Sequence, residues 1–111
     1  MENEVMIVTM GEIPGYKIQK VLGLASGITA RSRGVGGRFL AGVESMFGGE
    51  ITAFTSEIEK ARVEALERLK ENAKSMGANA VLRTDMETTE IYISTVLFSA
   101  TGTAVILEKE K

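Results

Sequence analysis

The chain has 111 residues, a formal net charge of −2, 25% charged and 44% hydrophobic residues. That is the make-up of one soluble globular domain with no global attraction for nucleic acid or anionic lipid. It contains neither cysteine nor histidine, which excludes disulfides, thiol nucleophiles, Ser-His-Asp triads and imidazole acid–base chemistry and removes the two commonest zinc ligands.

The opening Met1-Glu2-Asn3-Glu4 is acidic, unlike a signal peptide, and no apolar run approaches the roughly 18 residues of a membrane span. The cytoplasm is therefore the expected location. Val5-Met6-Ile7-Val8 is short, apolar and partly β-branched, and predicts a first short strand at an edge of the sheet. Pro14-Gly15 predicts a turn after it. From Tyr16 to about Ile28 the apolar positions are Tyr16, Ile18, Val21, Leu22, Leu24 and Ile28. The alternation slips by one residue before Val21, which predicts one long strand interrupted by a bulge near Gly23 or Gly27. Arg31 to Arg38 is glycine-rich and locally basic. Beyond it, Val35, Phe39, Leu40, Val43, Met46 and Phe47 fall at helical spacing, predicting a short helix that ends at Gly48-Gly49.

The strongest signal follows. Phe54, Ile58, Ala61, Ala65, Leu69, Ala73 and Met76 trace one face of a helix, while Glu57, Lys60, Glu64, Glu67, Arg68, Glu71 and Lys74 occupy the other. Thr52 is the expected N-cap, ahead of the capping box Ser56-x-x-Glu59, and Gly77 the left-handed C-cap. Lys60–Glu64 and Glu64–Arg68 are the expected ion pairs on the wet face. Ala78 to Met86 reads as a strand, Glu87 to Glu90 as a hairpin tip, and Ile91 to Leu107 as a final long strand in which Gly102 marks a bulge or close backbone contact. The methionines read as core filling.

Strand, strand, short helix, long helix, strand, strand describes an α+β fold, with an antiparallel sheet of about four strands and both helices on one face. One helical layer cannot cover both faces of that sheet. Some of Val81, Leu97 and Val105 are expected to leave its far side apolar, so that either fewer of them face that side than the pattern suggests or they meet a second subunit.

Phe47-Gly48-Gly49, Ala61-Arg62, Gly77-Ala78-Asn79-Ala80-Val81 and Thr101-Gly102-Thr103-Ala104-Val105 together resemble the YbjQ-like family, over about Gly15 to Val105. Members of that family carry a heavy-metal-binding label. The resemblance implies a dodecin-like subunit assembled as a ring-shaped homopentamer in which extra strands join neighbours. The chain departs from the pattern in four places. Glu50-Ile51 stands where Arg-Ser is usual after the double glycine, and Phe54-Thr55 where Tyr-Glu is usual. Gly27-Ile28 replaces Gly-Glu. The acidic strand Gly-x-Asp-x-Asp-Tyr-Glu is here Arg83-Thr84-Asp85-Met86-Glu87.

Two groups are candidate sites. Arg31, Arg33 and Arg38, with backbone amides of the surrounding glycines, could cradle an anion. No third glycine completes a Rossmann fingerprint, and no Gly-Lys-Ser/Thr completes a P-loop. Gly48 and Gly49 supply positive φ at a sharp joint, with a ligand contact as the secondary reading. Asp85 and Glu87 point to the same side of a strand and could hold a hard cation. The competing readings are a mobile solvated loop for the basic group and a solvated hairpin tip for the acidic one. No cofactor is indicated and no catalytic motif is present. The expectation is a non-enzymatic homo-oligomer that takes a small ligand or metal ion at subunit interfaces. The alternatives are an enzyme using Glu44, Glu50 or Asp85 with a hard metal, and a purely structural module.

Overall fold

The computed structural model describes residues 4–32, 50–92 and 95–111. The short helix, Arg33, Arg38, Gly48 and Gly49 lie outside the described residues, as do the side chains of 32, 50–55 and 91–92. Within them the order is β1 (Met6–Ile7), β2 (Tyr16–Ser32), α1 (Glu50–Ser75), β3 (Ala80–Tyr92) and β4 (Thr95–Lys109), and the class is α+β. The strands form one sheet in the order β1-β3-β4-β2. The three long strands pair antiparallel, but β1 runs parallel to β3, so the sheet is mixed. A wholly antiparallel sheet was the expectation. β1 lies at one edge of the sheet and β2 at the other, so the chain between them crosses from edge to edge.

That turn is type II in form. Tyr16 N–H donates to the Ile13 carbonyl, and Gly15 takes φ +87° directly after Pro14, the left-handed position such a turn reserves for glycine. β2 then pairs with β4 along its length, with register shifts between Ile18 and Lys20 and between Val21 and Gly23. The slip in the apolar pattern is thus two irregularities, the second ending at Gly23 with φ +125°.

The hairpin tip lies elsewhere than expected. Glu87–Glu90 sit inside β3, opposite Ser99 to Val96, and Ile91–Tyr92 complete the same strand. Their polar side chains reflect a solvated arm, since Glu87 to Glu90 are all exposed. The expected strand Ile91–Leu107 is therefore split by the reversal between Tyr92 and Thr95.

α1 starts at Glu50, so Thr52 and Ser56 lie within it and neither is its cap. Past the first turn the backbone provides its own acceptors, and a Ser-x-x-Glu box has no orphan amide left to satisfy. The C-terminus is as expected. Gly77 has φ +94°, its N–H donates to the Lys74 carbonyl, and Ala78 N–H donates to the Ala73 carbonyl. Those two bonds are a Schellman motif. Asn79 follows at once, and its side chain both accepts from Leu107 N–H (2.7 Å) and donates to Leu107 C=O (3.0 Å). The Gly-Ala-Asn stretch thus ends the helix and ties the chain to β4 within three residues.

The helix lies along β2. Ala61, Ala65, Leu69 and Ala73 are fully buried against Ala25, Phe98, Ala100 and Ala104. This is the predicted stripe, and its small residues bring the helix close. At Gly27 the approach is backbone to backbone, because a Cβ there would sit 2.2 Å from both the Ala65 carbonyl oxygen and the Leu69 nitrogen. A second, smaller core on the far face joins Ala80, Leu82, Val105 and Leu107 to Val8 and Ile13. Val81 packs on the helix side and Val105 in this second core, both fully buried. Neither is the exposed far-face residue that was expected.

The parity of β3 changes at a bulge. Leu82 faces Thr103 and Asp85 faces Thr101, so Arg83 and Thr84 together oppose Gly102. Gly102 has no room for a side chain, with Val81 Cγ1 2.4 Å from its would-be Cβ. Arg83 takes φ +51°, a left-handed conformation that strains an L-residue. Glycine is the residue that adopts this conformation without penalty. The Arg83 guanidinium lies over Gly11.

Two stability outcomes follow. Gly27→Ala should lose at least the roughly 1–3 kcal/mol typical of overpacking, more than Gly15→Ala, where only the positive φ is penalised by about 1–2 kcal/mol. Arg83→Gly should leave stability unchanged or raise it by up to about 1 kcal/mol, whereas Arg83→Val should lower it. Urea denaturation of the four variants measures both orderings.

Candidate functional site

Arg31 is the one member of the predicted basic group within the described residues, and it faces α1. Its Nε lies 3.6 Å from Glu57 Oε1 and one terminal nitrogen 3.3 Å from Glu64 Oε1. That nitrogen also reaches Thr29 Oγ1 and the Ala30 carbonyl. Two carboxylates therefore answer its charge. Arg31 ties the end of β2 to the helix through these contacts.

Glu64 is the centre of this cluster. One of its oxygens accepts from the buried Thr29 hydroxyl and from Arg31, and Arg68 approaches it at 3.5 Å. The Thr29 hydrogen bond and then that of Arg31 hold the Glu64 carboxyl below its ordinary value. Arg68 also donates to the Ile28 carbonyl at 2.6 Å, and Asn72 Oδ1 accepts from Ser26 N–H at 2.8 Å. Helix side chains thus satisfy backbone groups along β2. A carboxylate held ionised and surrounded by donors is a poor general base, so this arrangement joins helix to strand rather than moving protons. Sequence reasoning found Glu64–Arg68 but paired Lys60 with Glu64. Lys60 instead meets Glu57 at 3.7 Å, because Arg31 and Thr29 occupy Glu64. Thr29 carried no periodic signal of its own.

The other face of the sheet is different in character. Strand alternation, followed through the two β2 irregularities, places Tyr16, Ile18, Val21, Leu24 and Ile28 on the face away from α1. All five are exposed, Leu24 by 74% and Val21 by 60%. Together they form an apolar stripe along a strand that is also the edge of the sheet. The predicted need for a neighbour therefore falls on β2. Of the three residues named for it, Val81 lies on the helix side, Val105 is on this face but buried with Val8 and Ile13, and Leu97 is on this face and half-buried. Asp85 and Glu87 lie on the same face, exposed, opposite Thr101 and Ser99. Their shared side follows the predicted alternation.

The shape of the chain agrees with an uncovered face. Its long axis is 60 Å and its other extents 23 and 21 Å. A strand of 17 residues spans roughly 56 Å, while a helix of 26 residues spans only about 39 Å. α1 cannot cover the sheet from end to end. Among the described residues no helix is long and apolar enough to cross a membrane.

Comparison with known proteins places these features in a group. A family model of the YbjQ type, described as "Putative heavy-metal-binding", matches residues 5–108. A UPF0145 protein of Sulfurisphaera tokodaii is 44% identical over 108 residues, covering 97% of this chain and 95% of the relative. A UPF0145 protein of Methanoregula boonei is 43% identical over 110 residues, covering 99% and 92%. A crystal structure of a protein of unknown function from the DUF74 family, from Pediococcus pentosaceus, superposes with a TM-score of 0.62 at 15% identity, covering 94% of this chain and 98% of that one. It shows the same fold.

The pH dependence of the helix anchor has a definite sign. Because the Glu64 pKa is lowered on folding, its contribution is present above the ordinary glutamate range and is lost as pH falls through the lowered value. Glu64→Gln should therefore destabilise at neutral pH and matter less at about pH 3. Urea midpoints of wild type and variant at the two pH values should converge on the acid side.

Proposed function

The chain belongs to the YbjQ family, and from that premise we propose that it is a non-enzymatic subunit of a homo-oligomer, five-membered on the family resemblance, that takes a small ligand or ion where subunits meet. The observation that carries this reading is the exposed stripe Tyr16, Ile18, Val21, Leu24 and Ile28 along an edge strand. Large apolar side chains are left in water on one face only where something covers them.

The reading also accounts for the acidic pair. Asp85 and Glu87 share the far face with the stripe, across β4. A neighbour seated on β2 would border them, so two carboxylates of one copy and polar groups of the next could enclose a hard cation or a cationic small molecule. The proposed compartment is the cytoplasm, in keeping with a chain free of cysteine.

Light scattering with native mass spectrometry tests the assembly. The expected mass is about five chains, falling to one in the Val21→Glu/Leu24→Glu double variant with an unchanged far-ultraviolet circular dichroism spectrum. A wild-type chain that stays monomeric at micromolar concentration would overturn the reading.

A further inference from the structure

The family's heavy-metal description meets a donor set that does not suit it. Thiophilic and borderline metals are held by thiolate or imidazole, and the chain has neither. Methionine thioether is the one soft donor left. Met76 and Met86 pack against the core, as expected of core filling. Met6 and Met10 do not, being 45% and 52% exposed. Their exposure nevertheless makes a poor site. A neutral thioether brings no charge to offset dehydration of the ion and suits only Cu(I). Beside Met10 the Arg83 guanidinium lies over Gly11, and Arg83 N–H donates to the Met10 carbonyl. A cation would bind next to a fixed positive charge.

The carboxylates fare no better. Glu57 and Glu64 are answered by Arg31, with Arg68 on Glu64 and Lys60 on Glu57. Asp85 and Glu87 are two hard donors facing threonine and serine. Among the described residues no three of His, Cys, Asp and Glu are grouped closely enough to hold an ion. The residues outside the described ones add only Met1, Glu2, Glu44 and Met46 to the thioether and carboxylate donors. We infer that this chain has no site for a thiophilic or borderline heavy metal, so that the family's description does not extend to its chemistry. The inference rests on donor type and placement, and it stands apart from the proposed assembly.

The test uses the untagged full chain, stripped with chelator, desalted and measured for mass in the same sample. Zn²⁺ and Cd²⁺ are titrated directly, and Cu(I) against a chromophoric competitor. The expected result is no saturable uptake of any of the three at micromolar metal. The Met6→Leu/Met10→Leu variant should be indistinguishable from wild type. Stoichiometric, saturable uptake of any one of them would overturn the inference. Loss of that uptake in the methionine variant would place the site at the thioethers, and loss in Asp85→Asn/Glu87→Gln at the carboxylates. Metal bound per chain is read whether the sample proves a ring or a monomer, so the two readings fail separately.

Discussion

The helix and the edge strand meet where Gly27 leaves no side chain between two backbones. The rest of the packing depends on that approach. With the helix axis drawn in, small residues dominate the space between the layers, where Ala61, Ala65, Ala73, Ala25 and Ala100 pack beside Leu69 and Phe98. The same closeness lets Asn72 reach the Ser26 amide and Arg68 the Ile28 carbonyl. Near the end of β2, Thr29 and Arg31 are near enough to engage Glu64. An edge strand with open amides and carbonyls is an aggregation hazard. Here helix side chains occupy part of that edge, a consequence of setting the helix over β2.

Coverage of the sheet is correspondingly uneven. The helix protects one face of β2 and β4, and Val8 and Ile13 protect a small area of the other over Ala80, Leu82, Val105 and Leu107. The remaining far face carries the apolar residues of β2. Polarity is thus divided by face and by strand, with aliphatic groups along β2, hydroxyls along β4 and carboxylates along β3. That gradient is what an interface bordered by a polar pocket requires, and it is where ligand chemistry is best sought. The ion-paired cluster on the helix side holds the scaffold together and leaves no carboxylate poised for proton transfer.

Much of this was legible in the residues. The stripe from Ile58 to Met76 was readable because the 3.6-residue period is a property of the helix alone. Gly77 and the Pro14-Gly15 turn were readable because positive φ is a local demand that few residues meet. The slip before Val21 was visible as a break in alternation, and Gly102 as a close contact. Other features had no local mark. Arg83 is not a residue that announces a bulge, so the change of face between Val81 and Asp85 was hidden, and the burial of Val105 depends on Val8 and Ile13, which are far from it in the chain. Glu87 to Glu90 resembled a turn because an exposed strand arm and a turn are both polar.

What the sequence determined by itself is the set of local structures, because helical period, turn conformation and the missing Cys and His chemistry are properties of residues and near neighbours. What only the tertiary structure decided is which strand lies at the edge, which face of it the helix takes, and hence which apolar side chains stay in water. Those outcomes depend on pairings between residues far apart in the chain. Val21 and Leu24 read the same in the sequence whether a helix covers them or not, and the close contact at Gly27 decides that it does not.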